Sequence, residues 1–248
     1  MKKNKKNKRT KKIISRTQYI KNKVLNEKLS LEDKFATGCR NCNGCCKNGA
    51  DVTLSAYDIY RMSKGMNLSI KDFFDKYCDL IEGSNSSVPI ILLQLSDETG
   101  KCVLLKNGKC ISNDARPTVC AMHPLGRFIE YEADGTGNVG YILTDECKCK
   151  KPSSYTVQEW LDLNGISTDD RIFLTWAEMT TNSLKIMNIT KKDKQQSKTN
   201  LIFNILTHYL YFSYDTNEDF ITQLMKNAQA IRELLDSLKD HTKNNDNK

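Results

Sequence analysis

The chain has 248 residues, 38 Lys and Arg against 30 Asp and Glu, and ten cysteines. A chain of that length buries an ordinary hydrophobic core without covalent staples, so the cysteines are not needed as scaffolding. Eight of the basic residues fall within residues 1–12 with no acid among them, and the remainder of the chain is balanced in charge; the basicity is therefore a tail rather than a face, and nucleic-acid binding beyond non-specific tail contacts is not expected.

In chain order, the basic tail is followed by no apolar stretch of the kind a secretory signal requires. A weak helical pattern through Tyr19, Val24 and Leu25 leads from it toward the stretch CRNCNGCC, which starts at Cys39. Ser55 with Asp58 three residues later predicts a helix start with an acidic partner in the first turn. Ile59, Met62 and Met66 supply its apolar face, and Gly65 its stop. A second short helix is expected from Ser69 through Phe73, Phe74 and Tyr77. The continuous apolar run VPIILLQL predicts a buried strand. In KCVLLKNGKCIS, Asn107 and Gly108 predict a tight hairpin turn that brings Cys102 and Cys110 near each other. RFIEYEADGTGNVGYIL reads as two strands around a turn. From Tyr155 onward the pattern is helical, with a polar linker or exposed loop at 191–200. In the last helix Phe220, Leu224, Ala228, Ile231 and Leu235 recur at helical spacing.

The runs at 88–95 and 201–212 are too short or too interrupted to cross a bilayer, so no membrane insertion is expected. The expected setting is cytoplasmic, where clustered cysteines serve as metal ligands or redox centres more often than as disulfides. The expected class is α+β: a small cysteine-rich metal-binding core with short hairpins, flanked by helices and a helical C-terminal region. The boundaries read from pattern are a basic disordered tail at 1–12, a helical lead-in at 13–35, a cysteine-cluster metal-binding domain at 36–165, a helical region at 166–240 and a disordered tail at 241–248.

Cys39, Cys42 and Cys45 follow C-x2-C-x2-C, a spacing that lets one loop turn successive thiolates toward one centre, as iron–sulfur cubanes require with a fourth thiolate from elsewhere. Zinc sites also use C-x2-C pairs, two pairs to a tetrahedral ion. Cys46, adjacent to Cys45, points to a second site or a larger cluster because neighbouring side chains diverge. Cys102, Cys110, Cys120 and Cys147 are the remote thiols available to complete such sites.

The ordered set resembles the YkgJ-type cysteine-cluster family, a zinc- or iron-chelating domain defined by CxxCxxCC. The resemblance is carried by Cys39, Cys42, Cys45 and Cys46, then by CVLLKNGKCISNDARPTVCAMHPLGR with Cys102, Cys110, Arg116–Pro117, Cys120 and the run from Pro124 to Arg127, and by the later Cys147. The family usually carries an aromatic residue before the proline of that run, where this chain has His123. The resemblance implies metal binding, with those eight cysteines as the candidate ligands. A similar cysteine cluster also makes the chain look related to flagellin lysine methylases.

Three functions follow as expectations. The first is a metal-binding protein holding an iron–sulfur cluster of the 4Fe–4S type, or two metal sites, in electron transfer or as the redox part of an enzyme. The alternative is a zinc-stabilised protein-interaction module, and a further one is a methyltransferase-like enzyme. Arg116 is expected at the cofactor, donating charge-assisted hydrogen bonds to thiolates or cluster sulfurs, with capping of a carbonyl or pairing with an acid as its other reading. Pro117 and Pro124 read as rigid turns flanking Cys120. Cys78 is expected in the core on a helical face, His208 as a packed core histidine and His241 as an idle tail residue. Cys149 and His123 stay open as ligands. A protein partner is expected at the helical C-terminal region.

Overall fold

The structure is a computed structural model that describes residues 23–39, 43–144, 153–166 and 168–246. Short antiparallel strands alternate with helices of very different length, so the fold is α+β, as expected. The expected basic tail at 1–12 and Tyr19 lie outside the described residues, and 23–26 are helical. Among the described residues no helix is long and apolar enough to cross a membrane.

The chain divides into two units, each built from two separate stretches of sequence. One takes residues up to Asn43 together with Val119–Thr168; the other takes Gly44–Thr118 together with the chain from Asp169 onward.

In the first unit, β1 (Lys34–Thr37) pairs antiparallel with β9 (Ser153–Thr156), Phe35 opposite Tyr155. β7 (Leu125–Tyr131) and β8 (Gly137–Leu143) form the expected hairpin, Leu125 opposite Leu143. Thr156 then caps α5 (Val157–Leu163) through a reciprocal capping box with Glu159. Such a box satisfies two helix-end donors at once. Phe35, Ala121, Met122, Leu125, Tyr141, Val157, Trp160 and Leu161 form the core of this unit. Tyr155 therefore lies in a strand and not in the helix, which begins at Val157.

In the second unit, Ser55 caps α2 (Ala56–Gly65) through a capping box with Asp58, as the sequence predicts. Ser69 caps α3 (Ile70–Tyr77) by accepting from the Asp72 amide. The helix ends where Cys78 enters β3 (Cys78–Glu82), which pairs with the buried β4 (Pro89–Leu93); β2 (Thr53–Leu54) lies on the other side of β4. Cys78 is 4 % exposed and so belongs to the core, but on a strand rather than a helical face. The predicted turn at Asn107 and Gly108, both with positive φ, joins β5 (Leu105–Lys106) to β6 (Lys109–Cys110).

The C-terminal stretch forms α6 (Arg171–Lys192), α7 (Gln196–Thr207), a π-helical turn at His208–Phe212 and α8 (Phe220–Asp246). Phe220, Leu224, Ala228, Ile231 and Leu235, at the expected spacing, are all buried in the core of this unit with Met179, Ile186 and Met187 of α6. An Arg232–Glu178 ion pair at 3.1 Å links the two long helices. The expected linker at 191–200 shrinks to Asp193–Gln195, because Lys191 and Lys192 end α6 and Gln196 begins α7. His208 is exposed, with its ring against Tyr209 at 5.3 Å between centroids, rather than packed in the core. The π-helical turn beginning at His208 shifts the helical register that an apolar pattern assumes.

Candidate metal centre

α1 (Gly44–Lys47) carries Cys45 and Cys46 on a single turn. Adjacent helical residues are turned about 100° from each other, and the two thiols diverge accordingly: Cys45 is exposed, Cys46 half-buried. The turn closes with the Ala50 amide donating to the Cys45 carbonyl. It is then held against the Leu95–Cys102 loop by a close approach at Gly49. Gly49 is left-handed (φ +65°), and a Cβ there would stand 2.3 Å from the Gly100 carbonyl oxygen. Only glycine fits both conditions.

That approach delivers Cys102 to Cys46. The Cys102 amide donates to the Cys46 carbonyl at 2.9 Å, and the two thiols share a hydrogen bond. Cys110 arrives from β6, near enough for the Cys46 charge to be felt at its thiol. The route differs from the expected one, because the hairpin sets Cys110 opposite Leu105 and not opposite Cys102. Cys102 instead bridges to Leu95, ahead of the strands. The two remote thiols meet the motif at Cys46 rather than each other across a ladder.

The electrostatics of this cluster are opposed. The hydrogen bond shared with Cys102 pushes the Cys46 thiol well above its ordinary range, and burial and the neighbouring Cys102 charge add to the rise. Burial likewise pushes the Cys110 thiol up. Against this, the Arg116 guanidinium favours the thiolate at both Cys46 and Cys110, and the Ser112 amide hydrogen-bonds the Cys110 sulfur. These are the outer donors that tune thiolate ligands. A bound cation would invert the balance, because it replaces the proton between the sulfurs.

The other candidates are placed as follows. Cys39 lies in the first unit, its amide donating to Thr37 Oγ1 at 3.2 Å. Cys120 is half-buried on α4 (Thr118–Met122), whose end is fixed by the buried Trp160 Nε1 donating to the Met122 carbonyl at 2.9 Å. His123, also half-buried, follows α4, and Pro124 begins the approach to β7. Cys42, Cys147 and Cys149 lie outside the described residues.

The seven described cysteines are all thiols, with no disulfide among them. Among the described residues no group of three or more His, Cys, Asp or Glu side chains has the closeness that holds an ion. The donor set nevertheless fits a soft or borderline metal. Two sulfurs close enough to share a hydrogen bond are close enough to share an ion, thiolate is the ligand zinc and iron–sulfur clusters take, and a cation stands ready to offset the charge.

The fold is of the α+β class, and thiols from separate parts of the sequence meet at Cys46. Residues 38–151 match the model of the CxxCxxCC family, described as "Putative zinc- or iron-chelating domain". Over that segment, the recognition made from the ordered cysteines holds. No curated protein and no solved structure matches the chain.

The site also draws on residues that sequence reasoning did not assign to it. Asp58 was visible only as a helix cap, and nothing tied Gly49 to the Gly100 carbonyl or Arg61 to the Arg116 carbonyl. A glycine two residues past a cysteine-bearing turn is a common turn signal, and its close approach to Gly100 is a fact of tertiary structure alone.

Proposed function

We propose that this chain is an iron–sulfur protein in which clustered thiolates hold a 4Fe–4S cluster or two metal sites, serving electron transfer or the redox part of an enzyme. The observation that carries the reading is the hydrogen-bonded Cys46–Cys102 pair with Cys110 and Arg116 beside it. Cys102 and Cys110 also pack against the core of the second unit; the hydrogen bond that Cys102 shares with Cys46 is what favours a ligand role over packing alone.

In this reading Cys46 and Cys102 begin one ligand group, into which metal binding would draw Cys110. Cys39, Cys42, Cys45, Cys120 and Cys147 supply the remaining thiolates. The C-x2-C-x2-C spacing of Cys39, Cys42 and Cys45 favours the cubane-type cluster over zinc. When bound, such a cluster would supply one-electron transfer; the cysteines would hold it, and the Arg116 charge would offset that of the thiolates. A protein partner meets the C-terminal helices at exposed apolar residues such as Leu201 on α7 or Met225 on α8, since the seam from Phe220 to Leu235 is spent in the core.

Anaerobic purification followed by iron, zinc and acid-labile sulfide analysis with visible absorption tests the reading. Iron and sulfide in comparable amounts, with absorption bleached on reduction, are expected. A colourless protein with stoichiometric zinc and no sulfide overturns the iron–sulfur assignment in favour of a closed, structural thiolate site.

A further inference from the structure

Arg116, whose charge is felt at Cys46 and Cys110, sits in an irregular segment between the 3-10 turn Asn113–Ala115 and α4. Such a backbone does not by itself hold a long side chain in place. Here the segment is gripped by α2. Arg61 Nη2 donates to the Arg116 carbonyl at 2.6 Å, and both the amide and the hydroxyl of Thr118 donate to Asp58 Oδ1 at 2.7 Å. Asp58 and Arg61 are three residues apart on one helix and so share a face. They clamp Arg116–Pro117–Thr118 at both ends, while the buried Pro117 fixes φ between them.

Two features set these residues apart from a helix cap that serves its own helix alone. The Asp58 carboxylate is 3 % exposed and accepts four hydrogen bonds. The capping box uses only Oδ2, which takes the Ser55 amide and hydroxyl; Oδ1 is given entirely to Thr118. Arg61 lies 5.0 Å from the Tyr57 ring centroid, its Nε is buried without a hydrogen-bond partner, and among the described residues no carboxylate pairs with it. The buried orphan Nε carries a cost, which the charge-assisted bond from Nη2 to the Arg116 carbonyl offsets in part. That cost is intelligible where the face exists to set positive charge beside thiolates.

We infer that Asp58 and Arg61 are positioning residues of the metal site, holding the Arg116 backbone so that its positive charge stays near Cys46 and Cys110. This rests on the reading of those thiols as metal ligands. Neither Asp58 nor Arg61 touches the metal, and both act through Arg116.

The test is a double-mutant cycle on zinc affinity, measured by competition with a chromophoric chelator, using Arg61→Met, Arg116→Met and the double variant. Met keeps the aliphatic stem on Tyr57 and removes only the donor. Each single variant is expected to lose about tenfold in affinity, and the double variant no more than Arg116→Met alone. Independent losses that multiply overturn the inference. The Arg116 side-chain N–H resonance of the metal-free protein provides a second readout, expected to move to the position of an unrestrained arginine in Arg61→Met and in Asp58→Asn. Ser55→Ala, which removes the cap hydroxyl alone, should leave it in place. If that resonance shifts as expected but the wild-type chain binds neither zinc nor iron, the clamp stands and the ligand reading fails. If the wild-type chain binds zinc and Arg61→Met alters neither resonance nor affinity, the clamp fails and the ligand reading stands.

Discussion

Gly49→Ala separates the close approach behind the thiol cluster from ordinary backbone strain, because a matched control lies across from it. Gly49 and Gly100 share the same left-handed backbone, φ +65° and +66°. A Cβ at Gly100 would meet open space, whereas one at Gly49 would sit 2.3 Å from the Gly100 oxygen and 3.4 Å from Leu95 Cδ1. Forcing an L-residue into this conformation costs about 1 kcal/mol, and Gly100→Ala should lose that and no more. In Gly49→Ala the carbonyl must in addition retreat by roughly 1 Å, an overpacking cost of about 1–3 kcal/mol, for a total of about 2–4 kcal/mol. The segment that retreats is the one in which the Cys102 amide meets the Cys46 carbonyl, so the two thiols part. Urea unfolding of the metal-free protein reads the first effect, and zinc competition against a chromophoric chelator reads the second. Gly100→Ala should bind zinc like the wild type, and Gly49→Ala at least about tenfold more weakly. Equal stability losses in the two variants, or a destabilised Gly49→Ala with wild-type zinc affinity, would refute the reasoning.

Further outcomes follow from the same geometry. Metal binding must displace the protons that Cys46 and Cys110 hold above their ordinary range, so affinity should climb between about pH 6 and 9, with proton release visible by calorimetry in buffers of different ionisation enthalpy; an affinity indifferent to pH would exclude these thiolates as ligands. Burial pushes the Cys78 thiol from 9.0 up to about 12. Between those values the unfolded chain binds fewer protons than the folded one, so stability falls as pH rises, by about 2 kcal/mol at pH 10.5 from this group. Cys78→Ala, whatever its absolute stability, should show a decline shallower by that amount, and an unchanged slope would exclude Cys78 as the cause. Trp160→Phe keeps the ring in the core but leaves the Met122 carbonyl without its donor at the end of α4, an expected loss of about 1–3 kcal/mol by urea unfolding; a wild-type midpoint would show that this bond does not hold α4.

Much of the local structure was legible in the sequence because it rests on short-range chemistry. Ser55 with Asp58, Ser69 with the turn that follows and Asn107–Gly108 each fix a helix start or a hairpin within four residues, and the structure has all three where the pattern puts them. The seam of Phe220, Leu224, Ala228, Ile231 and Leu235 is equally local, since one helix's periodicity decides which residues turn inward. Cys78 and Tyr155 show the limit. Each adjoins a helix in sequence yet lies in a strand, because the pairing partners, Leu93 for Cys78 and Phe35 for Tyr155, come from distant parts of the chain.

The candidate site divides along the same line. The cysteine spacing by itself identified the family segment, named the soft donors and marked Cys46 as the residue that one C-x2-C-x2-C site does not need. Only the tertiary structure decided where Cys46 goes. Its neighbour relation to Cys102 depends on Gly49 meeting Gly100, and its relation to Arg116 depends on a clamp from α2, contacts between residues about fifty positions apart. Spacing along a chain records which donors a loop can turn together; which of them share a hydrogen bond, and which cation stands beside them, is set by the packing of segments whose sequences carry no mark of each other.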